Sequence, residues 1–289
     1  MPAYRFCRTD DISFLADALN ACYVVHFSDQ RALSAGLFKR EIRELNVWAS
    51  SCMAATEDGE PIAVVTGAKR ERETLIHRIG IHPDHLRRGH ARHLLESLSH
   101  KLSVLGPPRL VAEVPDDRPA ARALFEAVGY QAEECFADFS LPTALEPVTG
   151  ARGVEEVGLE RVVAMLDPSV CRSWQRALET LQNRKDQIRG LVLTSDTRLE
   201  AGVLFRDLPE RGRREIVALA GPLAPGGGAV EAQGMLATVV RAACQADALS
   251  VTVPRVSDAE ARWADLESMG FERGRTYTRF AVLASSGIP

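Results

Sequence analysis

The 289-residue chain is defined first by what it lacks. No apolar run approaches the roughly 18 residues that a membrane-spanning helix requires. Residues 1–11 show none of the basic-then-apolar order of a secretion signal. The expectation is a soluble, cytoplasmic protein with no membrane partner. Positive charge is not in excess either. The formal net charge is −4, whereas a surface that tracks nucleic-acid phosphates needs a basic surplus, so no nucleic-acid partner is expected. The six cysteines, Cys7, Cys22, Cys52, Cys135, Cys171 and Cys244, include no Cys-x-x-Cys pair and no dense spacing. They read as reduced core residues rather than a disulfide framework. Gly-x-x-x-x-Gly-Lys followed by Ser or Thr is missing, which argues against a nucleoside triphosphatase, and the three-glycine dinucleotide fingerprint is missing as well.

What is present is ample apolar material, 46% of residues with 26% charged, enough for one large core or two medium ones. Its most informative stretch is residues 76–95. Ile79 and Ile81 supply a buried strand and Pro83 ends it. Gly89 lets the backbone approach a ligand, and Ala91, Leu94, Leu95, Leu98 and Leu102 give one face of a helix. The first amides of that helix carry partial positive charge, and Arg87, Arg88 and Arg92 add full charges beside them. The pattern is a phosphate cradle.

Upstream, a short strand near Tyr4 leads through Asp10 and Asp11 into a helix carrying Phe14, Leu15, Leu19 and Cys22, and a second helix is expected over residues 35–45. Strands over 51–56 and 61–67 flank Asp58-Gly59, a tight hairpin turn. Downstream, residues 110–114 form a strand, and a helix with Pro119 in its first turn turns Ala121, Leu124, Phe125 and Val128 inward before Gly129. A last strand covers 130–141. The second half repeats this order: strands at 191–194, 201–205, 216–220 and 249–254, then a segment ending Met269-Gly270-Phe271 as the first ends Val128-Gly129-Tyr130. Two copies of one unit follow, bounded at 1–143 and 152–289 with a linker at 144–151. The second copy has the glycine-rich run 226–228 where the first has its arginines, a weaker ligand signal.

Ile81-His82-Pro83 followed by Leu86-Arg87-Arg88-Gly89-His90-Ala91 resembles the GNAT family of acyl-CoA-dependent N-acyltransferases, whose signature is Gln or Arg, two residues, Gly, one residue, and Gly or Ala. The likeness runs over about residues 3–143. It implies an α/β fold of two tandem domains, each a mixed, mostly antiparallel sheet flanked by helices. The second domain would be a degenerate copy serving as scaffold, acceptor-pocket wall or the surface of a homodimer. It implies acetyl-CoA as co-substrate, with the amides of Arg87, Arg88, Gly89, His90, Ala91 and Arg92 on the pyrophosphate and a splayed strand at Ile79, Gly80 and Ile81 pairing with the pantetheine arm. Gly80 would permit close approach, and the Ile81 amide would polarise the thioester carbonyl. Arg118 stands where the family often has Asn, and Phe125 where many members carry a thiolate-protonating tyrosine; Leu266 holds that place in the second copy.

An amine of pKa about 10.4 is almost wholly protonated at pH 7, so a base is needed. Glu113, inside an apolar strand, and His77, on the strand leading to the cradle, are the candidates. Trp48, Tyr23 and Phe27 could line an acceptor pocket, core packing being the plainer role. The spacings of His82 and His85, and of His90 and His93, raise a metal site, but with no cysteine near and pairs that straddle a turn, no metal is expected. The functional expectation is acetyl transfer to a primary amine of a small molecule or peptide. The alternative is a non-catalytic acyl-CoA-binding or regulatory module, motivated by Phe125.

Overall fold

In the computed structural model, residues 28–30, 142–152, 195–199, 222–228, 245–249 and 285–289 lie outside the described residues, as do the side chains of 211 and 229–233. The expected linker at 144–151 and the glycine run at 226–228 fall among these. The described chain forms two units, Met1–Glu133 with Thr278–Pro289, and Glu134–Tyr277.

The first unit begins with β1 (Ala3–Phe6), α1 (Ile12–Cys22) and α2 (Ala35–Leu45). Ser34 caps α2 by accepting the Leu37 amide, and Asn46 closes it in the left-handed conformation that a short polar side chain tolerates. The hairpin β2 (Met53–Glu57) and β3 (Glu60–Lys69) turns at Asp58 and Gly59, both with positive φ, as a type I′ turn demands. Next come β4 (Glu73–Ile81), α3 (His90–Leu105), β5 (Arg109–Pro115) and α4 (Pro119–Ala127). Strands β1 to β4 are antiparallel in sequence order, and β5 joins β4 in parallel. The α3 residues Leu94, Leu95, Leu98 and Leu102 are buried against Val65, Ile76, Leu110 and Val114 of the sheet, so the helical spacing read from sequence is the packed face.

The second unit contains β6 (Gln131–Leu141) from Glu134 onward, β7 (Val154–Val157), α5 (Leu159–Val163), α6 (Leu178–Asn183), β8 (Arg189–Thr194), β9 (Glu200–Leu208), β10 (Arg213–Ala220), α7 (Ala229–Cys244), β11 (Ser250–Ser257), α8 (Trp263–Ser268) and β12 (Glu272–Leu283) to Tyr277. Its strands run in the order β6-β11-β10-β9-β8-β7, with β10 and β11 parallel and the other pairs antiparallel. Each unit is thus a mixed, mostly antiparallel sheet with helices, as the family resemblance implied.

The division between units differs from the boundary expected at 143. Strand β6 follows the first copy in sequence, yet its residues 136–141 pair with β11 in the second unit. The first unit instead takes the last part of β12: Phe280 lies in its core, and Thr278 donates to Asp116 at 2.7 Å. Alternation identifies a strand but not its neighbour. Four cysteines are buried, whereas Cys135 is exposed and Cys171 half-buried. Among the described residues no helix is long and apolar enough to cross a membrane.

Candidate active site

The parallel pairing of β4 with β5 runs from Glu73↔Arg109 to Ile76↔Ala112 and ends there. Beyond that rung β4 continues against β3 alone, through Arg78↔Thr66, Ile79↔Val65, Gly80↔Val64 and Ile81↔Ala63. The register shifts between Thr66 and Gly67, which leaves His77 as the extra residue of a bulge; bulges bend a strand and re-aim its side chains. The two strands therefore part at His77 and Glu113, leaving backbone that a ligand can pair with. Ile79 and Ile81 both pack on the α3 side of the sheet, and the Ile81 carbonyl lies 2.8 Å from His26 Nε2, which holds the strand end to the region after α1.

From Ile81 the chain turns through Pro83 and enters α3. Arg87 (φ +59°) and Gly89 (φ +83°) are both left-handed, and successive conformations of this kind turn backbone amides toward a common concavity that suits an anion. No side chain caps the helix, so its first-turn amides remain for a ligand. A Cβ built on Gly89 meets nothing within 4 Å; there the glycine is required by φ. Arg87, Arg88 and Arg92 are exposed around the turn, Ala91 is half-buried, and the His90 side chain turns inward. His90 Nδ1 and the Tyr4 hydroxyl are 2.5 Å apart, and burial lowers the His90 pKa, helped by His85 and Arg88. His85 lies 3.8 Å from Glu57. Among the described residues no three His, Cys, Asp or Glu side chains converge as metal ligands would.

Three expectations change. Gly80 does not keep space open for a ligand: a Cβ there would lie 2.3 Å from the Cys22 carbonyl oxygen and 2.8 Å from the Tyr23 Cα, so its place is against the end of α1. Phe125 is 3% exposed, packed edge-on to Tyr130 at 5.1 Å and stacked on Phe280 at 6.4 Å, and so belongs to the core rather than to a cofactor surface. Glu113 is half-buried rather than enclosed, because β5 has by then lost its neighbour β4.

On the α1 and α2 side a set of polar and aromatic groups meets around the parting strands. Arg78 holds Glu41 of α2 bidentately at 2.6 and 3.0 Å, and His77 Nε2 lies 3.7 Å from the same carboxylate. Burial alone would raise the Glu41 pKa, but hydrogen bonds from His77 and Arg78 outweigh it and the net direction is down. Arg78 also lies over the Tyr23 ring at 5.7 Å, Tyr23 is 4.7 Å from Phe27, and Arg118 lies over Phe27 at 4.4 Å. The expected acceptor aromatics Tyr23 and Phe27 therefore meet, whereas Trp48 is 55% exposed. Sequence reasoning missed Glu41 and His26. The available signals were Arg78, a charge in an otherwise apolar strand that needs a partner, and the one histidine outside the 77–100 cluster.

The second unit repeats the divergence. Pairing of β10 with β11 ends at Glu215↔Thr252, and a bulge lies between Ile216 and Ala218. Here, however, the gap is filled by the protein itself. Arg176, from the segment between α5 and α6, is fully buried and donates to the Ile216 carbonyl at 2.7 Å and the Pro254 carbonyl at 3.3 Å. It binds Glu260 at 2.6 and 2.8 Å, and Glu260 accepts the Leu219 amide at 3.2 Å.

Residues 12–130 match the family model described as "Acetyltransferase (GNAT) family". Solved structures resemble the chain along its length. A GCN5-related N-acetyltransferase from Sphaerobacter thermophilus aligns with TM-score 0.69 at 17% identity, covering 99% of this chain and 97% of the other. A putative acetyltransferase from Pyrococcus horikoshii aligns with TM-score 0.65 at 15% identity, covering 98% and 90%. A tandem GNAT protein from the clavulanic acid biosynthesis pathway aligns with TM-score 0.62 at 13% identity over 100% of both chains. At these identities the structures speak for the fold. Residues 12–130 thus match the GNAT family, and the solved structures share their fold with the chain along its length.

Proposed function

We propose that the first unit transfers an acetyl group from acetyl-CoA to the primary amine of a small molecule or peptide by direct attack. The observation that carries this reading is the parting of β4 from β5 directly upstream of the uncapped α3. The fit to the co-substrate is good: a diphosphate needs amides and positive charge, and the turn offers left-handed Arg87 and Gly89, clear space at Gly89, and the exposed Arg87, Arg88 and Arg92. The amides of residues 87–92 hold the pyrophosphate, and the backbone of Ile79 and Ile81 pairs with the pantetheine arm, the Ile81 amide donating to the carbonyl where charge develops. Acetyl-CoA supplies an acyl carbon activated as a thioester and a thiolate leaving group.

His77 is placed to take the proton of the attacking amine. It sits on the bulge one residue past the last β4–β5 rung, with the Glu41 carboxylate 3.7 Å from Nε2. Glu113 stands at the same level on β5 and is the second candidate. The nitrogen–carbon bond forms, the carbon–sulfur bond breaks, the amine proton passes to the base, and the thiolate takes a proton from solvent. That last step needs no tyrosine in place of Phe125, because a thiol of pKa about 8.5 leaves acceptably near neutral pH. Tyr23 and Phe27, with Arg78 and Arg118 on their faces, line the acceptor side.

The test has two arms. Acetyl-CoA at a hundred times its dissociation constant should stabilise the chain by about 2.7 kcal/mol in thermal melts, and Gly89→Leu should abolish the rise; an unchanged rise in the variant removes the cradle assignment. Thiol release with a panel of amines should follow. Stabilisation without thiol release from any amine favours the non-catalytic acyl-CoA-binding module, to which the buried Phe125 lends its one supporting observation.

A further inference from the structure

Where two parallel strands part, backbone groups that would have bonded to each other face the gap, and buried backbone polar groups are almost always satisfied somehow. In the second unit the two charged side chains divide that task by chemistry. Arg176, which has only donors, reaches the carbonyls of Ile216, the first residue of β10 past the last rung, and of Pro254 on β11. Glu260, which has only acceptors, receives the amide of Leu219. The two are joined bidentately, and both side chains are 0% exposed.

Such a pair is an expensive way to fill a core, since removing both charges from water costs about as much as their attraction returns. Apolar side chains would fill the same volume, but they would leave two carbonyls and an amide unpaired. The segment that delivers Arg176 is itself anchored: Trp174 is 1% exposed, its carbonyl accepts from Thr180 at 2.7 Å, and the Cys171 carbonyl accepts from Ser257 at 3.0 Å. In the first unit the arginine just past the last rung, Arg78, turns instead to Glu41 and Tyr23.

We propose that the segment between α5 and α6 is a permanent internal ligand of the second unit, its Arg176–Glu260 pair bridging β10 and β11 where an acyl-CoA arm would lie, so that the chain takes acyl-CoA at the first unit only. The stoichiometric half of this statement rests on the function proposed above for the first unit; the internal bridge does not. The second unit is therefore a GNAT fold closed by its own residues, and its loss of cofactor chemistry has a structural cause beyond the missing arginines of its turn.

Hydrogen exchange on the full chain, read by mass spectrometry or NMR, tests both halves separately. Without ligand, the Leu219 amide should exchange at least roughly a hundredfold more slowly than an open amide, and saturating acetyl-CoA should leave it unchanged while slowing amides at 77–82. Calorimetric titration should give one acetyl-CoA per chain. Glu260→Gln, which keeps the volume but removes the charge, should speed Leu219 exchange at least roughly tenfold, with the β10 residues paired to β9 little altered. Fast Leu219 exchange in the free chain, slowing of it by acetyl-CoA, two molecules bound per chain, or an unaffected Glu260→Gln variant would each overturn the proposal. If amides at 77–82 do not respond and no acetyl-CoA binds, the function proposed for the first unit fails, while slow Leu219 exchange still upholds the internal bridge.

Discussion

Replacing Gly80 by alanine separates a packing role from a ligand-facing one. The added Cβ would lie 2.3 Å from the Cys22 carbonyl oxygen, 2.6 Å from its carbonyl carbon and 2.8 Å from the Tyr23 Cα. All three neighbours are backbone at the end of α1, and none can rotate aside as a side chain would. Leu15, Leu19 and Cys22, spaced along one face of that helix, are at most 1% exposed, so any retreat of the helix disturbs a fully buried face. Ordinary contact at 3.4 Å requires the last turn of α1 to retreat by about 1 Å from β4.

Inserting a methyl group into a close-packed interior costs about 1–3 kcal/mol, and the upper part of that range applies where backbone must move. Loss of glycine's freedom in the unfolded chain returns about 0.4–1 kcal/mol. The expected net effect is about 2 kcal/mol of destabilisation, a fall of roughly 4–8 °C in the melting of the first unit. Differential scanning calorimetry of the full chain is the assay, because two units need not melt as one transition. The same retreat would loosen His26 from Ile81 and shift Tyr23, so acetyl-CoA affinity falls as a secondary effect. A variant that melts within about 1 °C of the parent yet no longer binds acetyl-CoA would refute this reasoning, and would mean that Gly80 faces the ligand after all.

Phe125→Tyr should not restore a proton donor. With Phe125 enclosed by Tyr130 and Phe280, the new hydroxyl would be buried without a partner and cost about 1–3 kcal/mol in urea unfolding; a gain in thiol-release rate at unchanged stability would contradict this. Glu41 has a folded-state pKa below its ordinary 4.5, the pull of His77 and Arg78 exceeding the cost of burial. It therefore contributes stability that is fully present above about pH 4.5 and fades as the pH falls below that toward the lowered folded value. Glu41→Gln should flatten the acid side of a stability-versus-pH curve between pH 5 and 3, and an unchanged slope there would count against the pairing. Removing the base should lower kcat on the order of a hundredfold or more, and the expectation is that His77→Gln does so while Glu113→Gln does not; the reverse outcome in steady-state rates would transfer the role to Glu113.

How far the sequence was legible follows from how local each feature is. The turn into α3 could be read because its parts are adjacent in the chain: the proline stop, one glycine and a helix with leucines at helical spacing. The Asp58-Gly59 turn and the extent of α2 could be read for the same reason, through a dipeptide that tolerates positive φ and a serine and asparagine at the two ends. The packing of Gly80 against α1 could not be read, because Cys22 and Tyr23 lie far away along the chain. Phe125 was placed by family position, whereas its surroundings are set by Phe280, from the last strand. The unit boundary eluded pattern reasoning because β6 carries the same alternation whichever sheet it enters. Arg176 was not singled out at all, since the segment between α5 and α6 has neither periodicity nor motif to mark it.

The parting strands give these separate observations one cause. Each unit pairs two strands in parallel for a few rungs and then ends the pairing beside a bulge, at Ile76↔Ala112 in one and Glu215↔Thr252 in the other. That geometry creates the same backbone demand twice, for donors to carbonyls and acceptors to amides across a gap. A demand of this kind is met either by a bound molecule or by side chains, and a side chain that meets it excludes the molecule. The first unit sends its nearby arginine away from the parting strands, to a carboxylate that also lies beside a histidine. The second inserts Arg176 and Glu260 and closes the gap. Under the two proposals above, the choice of unit for acyl-CoA is set less by the glycines of the turn than by where one guanidinium in each unit is directed. The residues to examine in any tandem chain of this fold are the charged ones within hydrogen-bonding reach of the last parallel rung.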